Sequence, residues 1–153
     1  MDAARMVFTE IEPGLTVAGQ PRGGDIAGFG PAGFALLINN RPDGEEAGQP
    51  GSEAERVAAE SAGLAYRHLP VTGATITRAE IDAFRAAVQG ATGPVIAHCR
   101  SGTRSLTLWV LGEVLAGRMR RADVLAYGAA RGFDLTGAVG WLNAHAPEGG
   151  DAA

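Results

Sequence analysis

The chain reads as a three-layer α/β domain: a small, mostly parallel sheet flanked by helices. Three observations predict it. The short apolar runs Phe34–Ile38 and Val95–His98 lack polar alternation, the mark of strands buried on both faces. Segments with helical spacing and capping residues lie between such runs, so strands and helices alternate along the chain. The 153 residues, 46% hydrophobic and 20% charged, suit one ordinary globular core. Residues 1–145 are taken as a single domain, and 146–153, reading APEGGDAA, as a flexible tail.

In chain order, a strand is expected at Leu15–Ala18, between Pro13-Gly14 and Gly19-Gln20-Pro21, then a weak helical turn at Asp25–Phe29. The buried strand Phe34–Ile38 ends at Asn39-Asn40 and enters the polar loop RPDGEEAGQPG. Ser52 with Glu55 three residues on has the spacing of a capping box, opening a helix over Glu53–Ala62 that stops at Gly63. A strand over Leu64–Leu69 is halted by Pro70. Thr77 and Glu80 form a second capping box, and Ile81, Phe84 and Val88 line one face of the helix they open. Gly93-Pro94 ends it, and the strand Val95–His98 follows. From Ser105 to Ala116 the one charge is Glu113, which predicts an almost wholly buried helix. Two further helices are expected at Ala122–Ala130 and Thr136–His145.

Composition narrows function. Thirteen Lys and Arg against seventeen Asp and Glu leave a net charge of −4, which argues against a nucleic-acid partner, whose footprint is basic. The first residues hold no apolar secretory core, and the longest apolar stretch, Leu106–Leu111, is far short of a membrane span; a cytoplasmic location without a membrane partner is the expectation. One cysteine excludes an internal disulfide and a multi-thiolate metal site. Three dispersed histidines without HxH or HExxH spacing offer no metal site, and no cofactor is implied. Oligomeric state is not readable from the chain.

That cysteine is the candidate reagent. In a parallel α/β sheet, ligands bind beyond the carboxyl ends of the strands. Cys99 stands at such an end, and Arg100-Ser101-Gly102-Thr103-Arg104 leads from it into the helix beginning near Ser105. A strand–loop–helix turn aims backbone N–H groups inward, and the helix dipole adds partial positive charge, a field that favours a thiolate and an anion alike. Arg100, Ser101, Gly102, Thr103 and Arg104 are the candidate anion-binding loop; Gly102 lets it curl, and Arg104 can grip an oxyanion with two nitrogens. Ser105 can donate a hydrogen bond to the sulfur. His98 admits two readings, general base or loop support, and its place at a strand end favours support. His68 is expected to pack on its strand and His145 to cap a helix. The Arg118, Arg120, Arg121 group reads as a solvated helix end, and Arg131–Asp134 as a buttress of the loop, with Phe133 in the core.

The segment HCRSGTRS resembles the active-site loop of the cysteine-dependent phosphatase and rhodanese superfamilies. With LTVAGQP, FALLINNRPDGEEAGQP and YRHLPVTG, the stretch Leu15–Asp134 resembles the phosphatase-like domain of beta-lactamase-hydrolase-like proteins. The resemblance implies a protein-tyrosine-phosphatase-like fold of the dual-specificity type. It also implies Cys99 as nucleophile, Arg104 as oxyanion clamp and His98 as the neighbour that orients the loop.

Two features depart from the phosphatase pattern. Tyrosine phosphatases place five residues between nucleophile and arginine, whereas Cys99 and Arg104 enclose four, as in single-domain rhodaneses. The loop expected to carry an aspartic general acid reads PVTGATIT and has none. Asp43 is a substitute candidate, against the plainer reading of Pro-Asp-Gly as a solvated turn; Glu45 and Glu46 are weaker candidates. Three functions follow. The first is a phosphatase-like hydrolase acting on a small anionic phosphomonoester through Cys99. The second is a rhodanese-like sulfurtransferase forming a persulfide on Cys99. The third is an anion-binding module without chemistry.

Overall fold

The computed structural model describes residues 8–146; the tail expected over 146–153 lies outside the described residues apart from Ala146. Five strands make one sheet in the order β1-β2-β5-β3-β4. They are β1 (Phe8–Glu12), β2 (Leu15–Ala18), β3 (Leu36–Asn39), β4 (Ala65–His68) and β5 (Val95–His98). Pairings β2–β5, β5–β3 and β3–β4 are parallel, with Val95 opposite both Leu15 and Leu36; β1 joins β2 antiparallel through a bulge between Glu10 and Glu12. The sequence reading has no strand at β1. Its FTEIE alternates too briefly, and the hairpin with β2 is what holds it.

Strand parity sorts the core into two layers. Leu15, Val17, Leu36, Ile38, Val95 and Ala97 face the helices α3 (Arg78–Gln89), α4 (Thr103–Leu115), α5 (Val124–Ala130) and α6 (Thr136–His145). Ala18, Leu37 and Ile96 face α1 (Gly23–Ala27) and α2 (Ser52–Ser61), where Ile26, Phe29, Ala59 and Leu64 meet them. The sheet is therefore enclosed on both sides, the three-layer arrangement expected. Helix α4 is buried from Ser105 to Val114, and its Glu113 is neutralised by Arg85 at 2.7 Å.

The Thr77–Glu80 capping box forms at α3: Glu80 N–H donates to Thr77 Oγ1 (3.1 Å), and Thr77 N–H to Glu80 Oε1 (2.9 Å). The box expected at α2 does not. Its cap is Gly51, and Ser52 is the first helical residue. Ser52 N–H and Oγ–H both donate to Asp43, each at 2.7 Å, so Asp43 reaches across the loop to serve as the acceptor. Glu55 is released from capping and turns inward, 2% exposed, on the same face as Ala59. No helix of the described residues is long and apolar enough to cross a membrane.

Candidate active site

Parallel strands bring their carboxyl ends to one edge, so the residues after β5, β3 and β2 converge there. After β5, the loop from Cys99 closes on itself: Gly102 N–H donates to Cys99 Sγ at 3.0 Å, and Cys99 is 1% exposed. Gly102 has φ +100° and caps α4, a conformation that disfavours a side chain; a Cβ there would stand 3.2 Å from the Phe133 ring. The Arg131–Asp134 segment thus buttresses the loop through Phe133. After β2, Gln20 N–H donates to the Arg100 carbonyl (3.2 Å). A Cβ on Gly19 would meet that same oxygen at 3.0 Å.

His98 shares a face with Ile96 and so points toward α2. It is fully buried, its Nδ1 donates to the Cys99 carbonyl (3.0 Å), and its Nε2 stands 2.7 Å from Glu55 Oε1. With a carbonyl on one side and a carboxyl on the other, the ring has no nitrogen left to serve as a base toward the cradle. These contacts tie the start of the Cys99 loop to α2. His68 Nε2 donates to the Arg41 carbonyl (2.9 Å), and His145 caps α6 through the Trp141 carbonyl (3.0 Å).

Arg104 sits on the first turn of α4. Its Nη1 and Nη2 grip Glu45 at 2.7 and 2.9 Å, and Nη1 also donates to the Val71 carbonyl (3.0 Å). The Glu45 hydrogen bonds raise the Arg104 pKa further above its already high value, against burial, which lowers it. The Glu45 carboxyl, bound by Arg104 and Arg41, is held down to about 2. Arg41, 2% exposed, spreads its fork over three partners: Glu45 (2.9 Å), Glu46 (2.6 Å) and the Gln20 side-chain oxygen (2.9 Å). Gln20 Nε2 then donates to Glu55 Oε2 at 2.7 Å. One chain of polar contacts therefore runs from His98 through Glu55, Gln20, Arg41 and Glu45 to Arg104, linking both flanks of Cys99.

Several expected placements change. The Ser105 hydroxyl donates to Asn40 Oδ1 (2.7 Å), tying α4 to the end of β3 instead of bonding the sulfur. Asp43 is engaged by Ser52, whose hydroxyl lowers its pKa, which suits a cap and not a proton donor. Arg100 is an exposed side chain 3.5 Å from Glu46, and Ser101 and Thr103 hydroxyls lie 3.4 Å apart at the rim. Sequence reasoning missed Gln20, Asn40, Arg41 and Glu55, and named Glu45 only as a weaker general-acid candidate than Asp43. One signal pointed to Glu55: it stands four residues from Ala59, on the apolar face of α2. Arg41, Glu45, Glu46, Arg100 and Arg104 line an open cavity of about 400 Å³. A narrower slot of about 190 Å³, with Ile76, Trp141 and Asp134 in its wall, borders Arg104 and Thr103 on another side.

A cysteine directly after a central strand, a curled loop and an arginine on the next helix, on this sheet, define a protein of the tyrosine-phosphatase-like fold. Solved structures agree. A candidate phosphatase from Neisseria meningitidis Z2491 superposes with a TM-score of 0.79 at 29% identity, covering 89% of this chain and 96% of its own. At the level of fold alone, the kinase-associated phosphatase matches with a TM-score of 0.71 (12% identity, 97% and 96% coverage). P. aeruginosa TpbA, solved in complex with pTyr, matches at 0.66 (17% identity, 92% and 85% coverage). The chain belongs to the family of the beta-lactamase hydrolase-like protein phosphatase-like domain, whose model matches residues 7–116. A beta-lactamase hydrolase-like protein of Agrobacterium fabrum is 50% identical over 137 residues, 90% of this chain and 32% of that protein. One from Xylella fastidiosa Temecula1 is 48% identical over 141 residues, 92% of this chain and 33% of that protein. The chain thus spans about a third of the length of the curated relatives it matches.

Proposed function

We propose that residues 1–145 act as one cysteine-nucleophile phosphatase unit on a small anionic phosphomonoester. The observation that carries the reading is the Gly102 N–H donated to Cys99 Sγ at 3.0 Å, in a loop that opens directly into the helix turn bearing Arg104. Family membership supports the same chemistry. In this reading the Cys99 thiolate attacks phosphorus, an S–P bond forms and the ester oxygen departs. The loop amides from Arg100 to Thr103 hold the equatorial oxygens, where charge is greatest in the transition state, and Arg104, whose terminal nitrogens grip Glu45, adds its positive charge beside them. Water then cleaves the phosphocysteine, releasing phosphate and restoring the thiolate. His98 and Glu55 support the loop from below.

The four-residue spacing between Cys99 and Arg104 favours a second reading, sulfur transfer. Thiosulfate would then leave one sulfur on Cys99 and depart as sulfite, and cyanide would remove that sulfur as thiocyanate. One experiment separates the two: wild type and Cys99→Ser, each given 4-nitrophenyl phosphate in one arm and thiosulfate plus cyanide in the other. Phosphate release that disappears in Cys99→Ser is the expected result. Thiocyanate formation without phosphate release replaces the first reading by the second. Neither product, with slow alkylation of Cys99, leaves an anion-binding module.

A further inference from the structure

A carboxyl protonates a leaving group only while it is neutral, and the carboxylates that the described residues expose beside Arg104 are engaged as acceptors. Two cavities border Arg104, and between them they expose Glu45, Glu46 and Asp134. Glu45 accepts from both terminal nitrogens of Arg104 and from Arg41 Nε. Glu46 accepts from Arg41 Nη2 at 2.6 Å, with Arg100 alongside. Asp134 accepts from both the backbone N–H (2.9 Å) and the hydroxyl (2.6 Å) of Thr136. A carboxyl surrounded by donors is held ionised and has no proton to give. The loop Pro70–Thr77 carries no acid in its sequence, and its Thr72 and Thr75 hydroxyls bond each other at 2.5 Å. Asp43, on the neighbouring loop, is occupied by Ser52.

We propose that the substrate of this site is an activated phosphoryl compound, an acyl phosphate or phosphoanhydride, whose leaving oxygen departs as a stable anion without a proton from the protein. The inference rests on the phosphatase reading above and narrows its substrate class. The balance of the step is simple. The thiolate pair forms the S–P bond, the P–O pair leaves with the oxygen, and no proton moves until water attacks the phosphocysteine. A carboxylate leaving group has a conjugate acid near pKa ~4 and a phosphate near ~6, against ~10 for the tyrosine phenol. Aliphatic alcohols are far weaker acids still, close to water itself. General acid catalysis supplies about 10²–10⁴-fold, and it matters most for the poor leaving groups.

The test is a leaving-group series on the wild-type chain: acetyl phosphate, inorganic pyrophosphate, 4-nitrophenyl phosphate, phenyl phosphate and glycerol 3-phosphate, with Asp134→Asn and Glu46→Gln alongside. Expected are turnover of acetyl phosphate or pyrophosphate, telling which class is taken, and a fall in kcat/KM of about a hundredfold or more from 4-nitrophenyl to phenyl phosphate. Both variants should keep that ratio. Phenyl phosphate within about tenfold of 4-nitrophenyl phosphate overturns the proposal, as does a ratio that steepens in Asp134→Asn or Glu46→Gln, because either result reveals a working acid. Efficient aryl turnover with neither acetyl phosphate nor pyrophosphate consumed also overturns it while leaving the phosphatase reading intact. No turnover of any phosphate above the Cys99→Ser background removes both.

Discussion

Glu45 shows how a side chain in an ordinary polar loop becomes part of a site. Its carboxylate lies between Arg104 and Arg41, 26% exposed, and orients the Arg104 guanidinium at the start of α4. The pair has a pH signature with a definite sign. Because the folded carboxyl is depressed to about 2, its contribution to stability is present above the ordinary carboxylate range and lost as pH falls toward 2. Thermal melts of wild type and Glu45→Gln should therefore differ by a constant amount above about pH 5 and converge between about pH 4.5 and 2. A difference that grows on acidification contradicts the ion pair. Arg41 amplifies the effect, since its planar fork satisfies three acceptors at once and a lysine cannot span them.

Helix α2 and the loop before it carry the clearest disagreement between pattern and packing. Ser52-x-x-Glu55 has capping-box spacing, yet the box loses to two stronger demands. Asp43 offers Ser52 a charged acceptor, and Glu55 meets the Nε2 of buried His98 at 2.7 Å. Asp43→Ala should accordingly cost about 0.5–2 kcal/mol of stability, the price of a lost cap, measured by denaturant titration. Turnover of 4-nitrophenyl phosphate should stay within about twofold; a hundredfold loss would restore Asp43 as an acid. Helices α3 and α4 behave as their patterns predict. The Thr77–Glu80 box forms, and α4 is buried all round because it is the central helix on its side of the sheet.

Over the molecule as a whole, the sheet serves as a ruler. Parallel register puts Ala18, Asn39 and His98 level at one edge, so the segments that follow them meet around Cys99. The core beneath must stay rigid for that convergence to hold. Phe84, fully buried on α3 in the larger of the two core clusters, anchors it. Phe84→Ala should cost about 3–5 kcal/mol and, at this chain length, lower Tm by about 6–20 °C in a calorimetric scan. A loss below about 1 kcal/mol would mean that the layer repacks freely.

Alternation of strands and helices, the buried strands β3 and β5, the capped α3 and the strand–loop–helix turn bearing Cys99 were all legible in the chain, because each is written within ten or so consecutive residues. The short edge strand β1 was not, since a brief FTEIE exists as a strand through its partner. The sequence by itself determined where the thiol stands and that an arginine follows it on the next helix. The tertiary structure alone decided what the carboxylates do. Glu45 meets Arg104 across 59 positions and Glu55 meets His98 across 43, so neither pairing leaves a local periodic trace. Each carboxylate goes where burial leaves a cation or a donor unmatched, and that demand exists only once the strands have brought their ends together.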